Sequence, residues 1–530
     1  MKSRCAAIVA ALILLAPALV LVARPAAARV PSGGTVVTVH VRDNVFRPSR
    51  LGVKPGTTVR WVNEGRNRHN VTPNSGDAFG SKNLSPGQSY AFRFEDAGKF
   101  SYYCTLHGAP GKGQHATLAV GDDVGASDVA PTGSGDSPAP SIASSGRTIR
   151  VPADAKTIQG GVDRAKPGDL VLVSPGVYHE TVTIATKGIV LRGLDRNRTI
   201  LDGDFERENG VKVVGADGVA IENLTARNYT ENGFYWDGVR GYRGSYLTAY
   251  RNGDYGIFSY DSQWGVFDNS YASGSPDAGF YIGQCNPCHA VITDVVSEFN
   301  QLGYSGTNAG GDLFIVRSVW RKNRTGIVPN TLDSEELPPQ RGATIAGNLV
   351  ELNGSTDAAR SSTEEFDVLY GGGIVLVGAS DNKVLRNHAP GNAVIGIAIA
   401  PNPALQQNFW PSTGNEVRGN DVQGSSLADL AVILATPADG NCFADNQYGT
   451  SAPKNLEQLM PCDGAGTGDP SDGALLITRF LDTSNNPTGR DYKKTPVPPE
   501  QQNMANAKNA KARPAGAPPK VDLASVARPS

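Results

Sequence analysis

The chain has 530 residues, with 49 basic and 51 acidic side chains and a formal net charge of −2 at pH 7. This balance excludes the basic composition that is typical of nucleic-acid-binding proteins, so we predict no nucleic-acid partner. A chain of this length exceeds what one hydrophobic core usually serves, and two or more domains are expected. The 62 glycines and 35 prolines indicate a β-rich chain with many turns.

Residues 1–28 have the pattern of a secretory signal peptide. Lys2 and Arg4 precede an apolar run that ends at Val22, and small residues up to Ala28 offer a cleavage site. No later segment approaches the roughly 20 apolar residues that a membrane-spanning helix needs. We therefore predict a secreted, periplasmic or surface-associated protein without a transmembrane anchor.

Residues 33–121 are predicted to form a small β domain. Short alternating segments such as TVVTVHV, TTVRWVN and SYAFRF are separated by the turn sequences KPGT and SPGQ. Evenly spaced short strands in so short a segment are typical of a β-sandwich or a small barrel.

The segment SYYCTLHGAPGKGQH places potential metal ligands close together in this domain. Cys104 is followed three residues later by His107, and His69 lies upstream in RNRHNVT. One thiolate and two imidazoles with a weak axial ligand form the ligand set of blue copper sites. Metal binding would also protect a cysteine that has no evident partner in an exported protein. Zinc in the same ligands is the alternative.

The domain resembles plastocyanin-like cupredoxins, the proteins with a blue type 1 copper site, in NVFRPSRLGVKPGTTVRWVNEGRNRHNVT and GKFSYYCTLHGAPGKG. The resemblance implies electron transfer by one copper ion, with a redox partner that the sequence does not identify. It implies that His69, Cys104 and His107 are the equatorial ligands. It also implies that the backbone of Asn70 helps to hold the cysteine sulfur.

The axial position departs from the family pattern, which usually has methionine. The matching residue here is Gln114, and no methionine lies in this domain. An amide oxygen is a stronger donor to Cu(II) than a thioether, so we expect a lower reduction potential than at methionine sites. His115 could compete as a ligand, but adjacent strand residues point to opposite faces, so it should point away.

Two segments have too little apolar content to build a core. Residues 122–146 are acidic and rich in proline, serine and glycine, which predicts a flexible linker. Residues 489–530 are predicted to be a disordered tail. These segments isolate a second domain at residues 147–488.

The second domain repeats with a period of about 23 residues, marked by glycines such as Gly210, Gly233 and Gly256. The residue after each glycine is apolar, as expected when stacked strands point one side chain inward. Such a period predicts a solenoid with one turn, or rung, per repeat. Asparagines that recur in the later strand of the rungs should stack as an internal asparagine ladder. Its members are Asn223, Asn269, Asn348, Asn387, Asn420 and Asn446.

Through these repeats, residues 147–465 resemble a right-handed parallel β-helix of the pectate-lyase-like superfamily. Within this superfamily, the repeats most resemble those of periplasmic carbohydrate-binding and sugar-hydrolase β-helices. The predicted fold class is therefore all-β, with an N-terminal cupredoxin β-sandwich followed by a right-handed parallel β-helix with caps. This scaffold hosts lyases, hydrolases, epimerases, adhesins and non-enzymes, so the resemblance alone assigns no activity.

Outward-pointing residues on successive rungs offer a candidate carbohydrate site. If the residue after each glycine points inward, then Tyr235, Phe258 and Tyr281 point outward as an aromatic strip. Exposed aromatic rings beside carboxylates are typical of sugar-binding grooves. The alternative is a strip buried beneath the long insertions at 329–342 or 354–370.

Acidic residues on these rungs are weak candidates for catalysis, namely Asp237, Glu231 and Asp254. Glu231 and Asp254 belong to a row of carboxylates with Glu208 and Asp277. Stacked carboxylates repel one another unless a cation or substrate lies among them. A calcium ion, or an acid–base pair for glycoside chemistry, is therefore one hypothesis, and solvated turn residues are the other.

Four further cysteines are predicted to form disulfides. Cys442 and Cys462 suit a disulfide of an exported protein. Cys285 and Cys288 in QCNPCH most simply form a local disulfide. A redox C-x-x-C, or a second metal site with His289, are the alternatives.

Three hypotheses for function follow. The first is a secreted type 1 copper protein that transfers electrons, with a β-helix that binds a glycan or a partner protein. The second is a polysaccharide lyase, hydrolase or epimerase with an accessory copper domain. The third is a copper-handling or surface protein without turnover.

Overall fold

The structure is a computed structural model that describes residues 35–361, 364–402, 408–434, 440–477 and 483–530. The predicted signal peptide at 1–28 lies outside these residues. In the part of the chain that is described, no helix is long and apolar enough to cross a membrane. The predicted all-β class is confirmed, because a two-sheet N-terminal domain precedes a long parallel β-helix.

The N-terminal domain packs two sheets around Trp61 and Tyr102, whose ring centroids lie 5.5 Å apart. Alternation of apolar and polar residues gives strands such as Val36–Arg42 and Lys112–Val120 one buried face. The four-stranded sheet comprises Val45–Arg47, Val36–Arg42, Thr57–Asn63 and Ser89–Phe94. The five-stranded sheet comprises Thr72–Pro73, Gly98–Ala109, Lys112–Val120, Arg50–Val53 and Gly125–Ser127.

Three parallel sheets form the β-helix, and successive rungs add one strand to each. The first sheet contains Thr148–Val151, Leu170–Val173, Val190–Gly193, Val219–Glu222, Arg240–Ser245, Gln263–Asp268, Ala290–Thr293, Leu313–Val316, Ala343–Ala346, Lys383–Leu385, Glu416–Arg418 and Cys442–Ala444. The second sheet contains Gly176–Tyr178, Thr199–Asp202, Thr225–Arg227, Thr248–Tyr250, Tyr271–Ser273, Val296–Glu298, Val319–Arg321, Leu349–Glu351, His388–Pro390, Asp421–Gln423 and Gln447–Tyr448.

The third sheet is the one on which the N-terminal domain lies. It contains Val182–Ile184, Val211–Val214, Phe234–Asp237, Ile257–Tyr260, Ala278–Gly283, Leu302–Thr307, Thr325–Asn330, Gly372–Val377, Ile395–Ala400, Ala428–Leu434 and Ser451–Ala452, with Leu475–Leu476 beside Ala428–Leu434. Short helices span Ile158–Asp163 and Leu456–Leu459, and 3-10 turns span Glu364–Leu369, Tyr492–Lys494 and Leu523–Ser525.

The predicted repeat is confirmed by the strand register of the third sheet. Phe234 pairs with Ile257, Ile257 with Phe280, and Phe280 with Tyr304. All four side chains are buried in the core of the β-helix. A single rung cannot bury its apolar face alone, so the stack of rungs supplies the core.

The predicted asparagine ladder is confirmed for its later members. The Nδ2 groups of Asn348, Asn387 and Asn420 donate to the Oδ1 of the next asparagine at 2.9, 3.0 and 2.9 Å. Asn223 and Asn269 stay outside the ladder, with Nδ2 donating to Gly193 O and Asp268 Oδ1. Two ladders that the sequence analysis missed run through Asn300, Asn323, Asn353 and Asn392, and through Asn382, Asn415 and Asn441.

The tail at 489–530 lies along the β-helix, although its composition predicts disorder. Buried Arg192 donates to the carbonyl oxygens of Ala507 and Ala510 at 3.2 and 2.6 Å. Arg251 donates to the carbonyl of Thr495 at 2.9 Å. Backbone carbonyls need no apolar side chain to pair with an arginine, so hydrophobicity could not reveal this order.

The segment at 122–146 also contacts the β-helix, although its composition predicts a flexible linker. Thr132 N donates to Asp261 Oδ2 at 3.0 Å. The indole of Trp264 donates to the carbonyl of Ser137 at 2.8 Å. The strand Gly125–Ser127 pairs with Arg50–Val53 of the N-terminal domain. This segment is therefore held at several points along its length.

Asn387→Ala should lower the free energy of unfolding by about 1–3 kcal/mol, because buried partners in the ladder lose their hydrogen bonds. Thermal or denaturant unfolding of the full chain measures the change. Gln447→Ala is the control at an exposed strand position, where a change within about 0.5 kcal/mol is expected. Equal effects of the two substitutions would contradict the structural role of the ladder.

Candidate metal centre

Three side chains from two separate segments converge in the N-terminal domain. The ligand atoms of His69, Cys104 and His107 all lie within 4.8 Å of one another, and all three residues are buried. Cys104 Sγ lies 4.0 Å from His69 Nδ1 and 3.6 Å from His107 Nδ1. The two Nδ1 atoms are 3.1 Å apart. In the described part of the chain this is the one group of at least three such residues with metal-binding spacing.

Gln114 brings a fourth donor to the same place. Its Oε1 lies 2.9 Å from His69 Nδ1, and its Nε2 donates to the carbonyl of Val45 at 3.2 Å. That hydrogen bond directs the amide oxygen toward the histidines. His115 turns away, with Nδ1 placed 2.8 Å from the carbonyl oxygen of Gly113. The set of one sulfur, two imidazole nitrogens and one amide oxygen fits a type 1 copper ion.

The ligands Cys104 and His107 lie within one long strand, Gly98–Ala109. The strand's register with Lys112–Val120 shifts between Tyr103 and Gly108. Such an irregularity re-aims side chains, so two residues three apart can face the same point. The backbone N–H of Asn70 donates to Cys104 Sγ at 3.4 Å, as the family resemblance implies.

Asp43 lies behind His69, and the sequence analysis missed it. Its Oδ1 is 3.8 Å from His69 Nε2 and accepts from the backbone N–H of Arg66 at 2.7 Å. Burial alone would raise the pKa of Asp43, but the nearby imidazole of His69 and the charge of Arg66 lower it overall. A carboxylate in this position orients a ligand histidine and raises its basicity.

The two histidines have opposite pKa shifts. Burial lowers the pKa of His107 well below 6.5, and the charge of His69 lowers it further. Burial also acts to lower the pKa of His69, but the neighbouring Asp43 and Cys104 raise it to about 9. Neutral His107 is therefore ready to bind a metal, whereas His69 would release a proton on binding.

The ligand strand lies directly on the third sheet of the β-helix. Lys212 Nζ donates to the carbonyls of Thr105 and Gly108 at 2.7 and 3.0 Å. Tyr235 Oη lies 3.4 Å from the carbonyl oxygen of His107. Gly113 is needed at this contact, because a Cβ there would lie 2.6 Å from Asp237 Oδ2. His107 is only 3% exposed as a result.

The prediction that Tyr235, Phe258 and Tyr281 form an exposed strip is wrong, because each is at most 3% exposed. The three rings do stack along successive rungs, with centroids 5.0 and 4.7 Å apart. Tyr235 is covered by the N-terminal domain, and Tyr281 Oη donates to Glu335 in the insertion at 329–342. The alternative of burial beneath an insertion is thus confirmed in part.

The carboxylates proposed for catalysis or calcium also lie at this contact. Glu231 pairs with Arg68 of the N-terminal domain. Burial raises the pKa of Asp254 well above 3.8, and the neighbouring charges of Asp277 and Glu231 add to the effect. Because Glu231 already has a cationic partner, the structure gives no support to a calcium ion in this row.

Four cysteines pair in the described chain, Cys285 with Cys288 and Cys442 with Cys462. Cys104 is the free cysteine. His289 contacts Asp312 at 2.9 Å and stacks on Trp264, rather than joining a metal site with the neighbouring cysteines.

Comparisons with known proteins agree with the N-terminal site. A family described as cupredoxin-like domain matches residues 6–117. The chain is 33% identical over 86 residues to plastocyanin of Scenedesmus fuscus, covering 86% of that protein and 14% of this chain. It is 36% identical over 86 residues to amicyanin of Paracoccus versutus, covering 64% of that protein and 16% of this chain.

Among solved structures, the chain is similar to the A-module of the mannuronan C-5 epimerase AlgE4 of Azotobacter vinelandii. The sequence identity is 16% and the TM-score is 0.42. The match covers 56% of this chain and 91% of that one.

The contact between the domains predicts a pH effect at Asp237. Burial, with the nearby charge of Asp261, raises the pKa of Asp237 well above 3.8. The folded protein therefore keeps a proton that the unfolded chain releases, and stability falls as pH rises above about 4. Asp237→Asn, which stays neutral, should match wild type near pH 4 and be about 1–3 kcal/mol more stable at pH 8.

Unfolding at the two pH values measures this difference, with Asp77→Asn as the control at an exposed aspartate. A pH dependence that Asp237→Asn leaves unchanged would rule out a protonated carboxyl at this position.

Proposed function

We propose that this chain, which belongs to the cupredoxin-like family through its N-terminal domain, is a type 1 copper protein that carries single electrons. The observation that carries the proposal is the convergence of His69 Nδ1, Cys104 Sγ, His107 Nδ1 and Gln114 Oε1 in a buried site. Bound copper would supply a centre that alternates between Cu(II) and Cu(I). Thiolate and imidazole ligands together serve both oxidation states.

The residues around the ligands support electron transfer because they limit rearrangement. Asn70 N–H donates to the cysteine sulfur, and Asp43 lies behind His69. Gln114 is fixed by its hydrogen bond to Val45. A site held in one geometry by its surroundings needs little reorganisation when an electron arrives or leaves.

We propose that the main role of the β-helix is to support the copper site. Its third sheet buries the ligand strand through Lys212 and Tyr235. A redox partner would therefore approach another face of the N-terminal domain, since His107 is covered. The disulfides Cys285–Cys288 and Cys442–Cys462 favour export to an oxidising compartment.

Binding of a glycan or a further protein to the β-helix stays a hypothesis, as does activity on a polysaccharide. Tyr235 and Asp237 would become accessible only if the N-terminal domain moved away. Burial of that surface favours electron transfer by the copper site over catalysis on the β-helix.

Cys104→Ser is the direct test of the copper site. The mature protein loaded with Cu(II) should show an intense thiolate-to-copper absorption band and a narrow copper hyperfine splitting by EPR, and the variant should lose both. His115→Ala is the matched control and should keep them, because His115 points away from the ligands. A pale, ordinary Cu(II) spectrum of the wild-type protein would refute the type 1 assignment.

Gln114→Met should raise the reduction potential, because a thioether stabilises Cu(II) less than an amide oxygen does. We expect at least a tenfold change in the equilibrium between oxidation states, which is about 59 mV for a one-electron couple. Redox titration of the visible band measures it, and Gln88→Met is the control at an exposed position. An unchanged or lower potential would mean that Gln114 is not a ligand.

A further inference from the structure

Lys212 is a charged residue of the β-helix that lies under the metal centre of the other domain. It is only 8% exposed. Its ammonium group donates to the carbonyls of Thr105 and Gly108, the residues that follow Cys104 and His107 in the ligand strand. The two hydrogen bonds therefore fix the charge beside the segment that supplies two ligands.

We propose that Lys212 is a positioning residue of the copper site, and that its charge raises the reduction potential of the bound copper. The proposal rests on the proposed function. Cu(II) carries one more positive charge than Cu(I), so a nearby ammonium group disfavours the oxidised state more than the reduced state. The effect is large in this place because buried charges are poorly screened by solvent and salt.

Burial lowers the pKa of Lys212, whereas the charges of Cys104, Glu208 and Asp237 act to raise it and so favour the ammonium form. Asp237 lies close to Lys212, and burial, with the charge of Asp261, raises the pKa of Asp237 well above 3.8, which favours its neutral form. Asp237 Oδ2 instead accepts a hydrogen bond from Tyr235 at 2.8 Å. The hydrogen-bond partners of Lys212 are the neutral carbonyls of the ligand strand. The two hydrogen bonds thus hold the ammonium group on the side of Lys212 that faces the ligands.

The row of outward residues explains why a lysine can take this position. Lys212 pairs in register with Tyr235, and Tyr235 with Phe258. The row is aromatic at Tyr235, Phe258 and Tyr281, and the residue before them is Lys212, which lies under the ligand strand. There the carbonyls of Thr105 and Gly108 need donors, and a long cationic side chain can reach both.

The test compares variants of the full-length, copper-loaded protein that separate charge from hydrogen bonding. Lys212→Gln keeps an N–H donor and loses the charge, Lys212→Met loses both, and Lys212→Arg keeps both. Lys112→Gln is the matched control, because Lys112 also reaches across the domain contact but donates to Ala185 O of the β-helix. Redox titration, the visible spectrum and EPR are recorded for each variant.

We expect Lys212→Gln and Lys212→Met to shift the equilibrium about tenfold toward Cu(II), a fall of about 59 mV in potential for a one-electron couple. Lys212→Arg should stay close to wild type, and Lys112→Gln should shift the equilibrium less than half as much. The EPR splitting should stay that of wild type, since the ligands do not change.

Three results would overturn the proposal. The first is a normal type 1 spectrum with an unchanged potential in both neutral variants. The second is an equal shift in Lys112→Gln, which would make the effect a general one of surface charge. The third is loss of copper binding or folding in both neutral variants, which would make Lys212 a structural residue. A wild-type protein without a type 1 spectrum would instead refute the proposed function itself.

Discussion

The stacking of parallel strands in register is the constraint on which the rest of this structure depends. Backbone hydrogen bonds between rungs place equivalent residues above one another at about 4.8 Å. Inward positions such as Phe234 and Ile257 therefore form one continuous core. By the same geometry, outward positions form rows, and the row of Lys212, Tyr235 and Phe258 becomes a flat surface. A small β domain can bury such a surface without any change in the β-helix.

Burying that surface removes polar and charged groups from water, and each of these groups is stabilised in a different way. Lys212 pairs with carbonyls of the ligand strand, and Glu231 pairs with Arg68. Burial raises the pKa of Asp237, which favours its neutral form, and its Oδ2 accepts a hydrogen bond from Tyr235. An unpaired buried charge would oppose docking strongly. Each of these partners thus favours the observed placement of the N-terminal domain.

Much of the fold and of the site could be predicted because the relevant signals are local or periodic. The 23-residue repeat sets the register, and Cys104 with His107 has a spacing that few other sites share. The burial of Tyr235 could not be predicted, because alternation tells which face a side chain is on and not what covers that face. The position of Asp43 beside His69 could not be predicted for a similar reason, since a lone acidic residue in a turn has no spacing that links it to His69.

The two domains are energetically coupled if a β-helix residue sets the copper potential. If docking of the N-terminal domain on the β-helix stabilises reduced copper, then reduction of copper must strengthen docking by the same free energy, because linkage is reciprocal. Gln114 and Lys212 act in opposite directions, since an amide oxygen favours Cu(II) and an ammonium group favours Cu(I). The N-terminal domain alone would therefore have a lower potential than the whole chain. The β-helix then serves as more than a support, because its contact with Thr105 and Gly108 makes it part of the environment that determines the redox equilibrium.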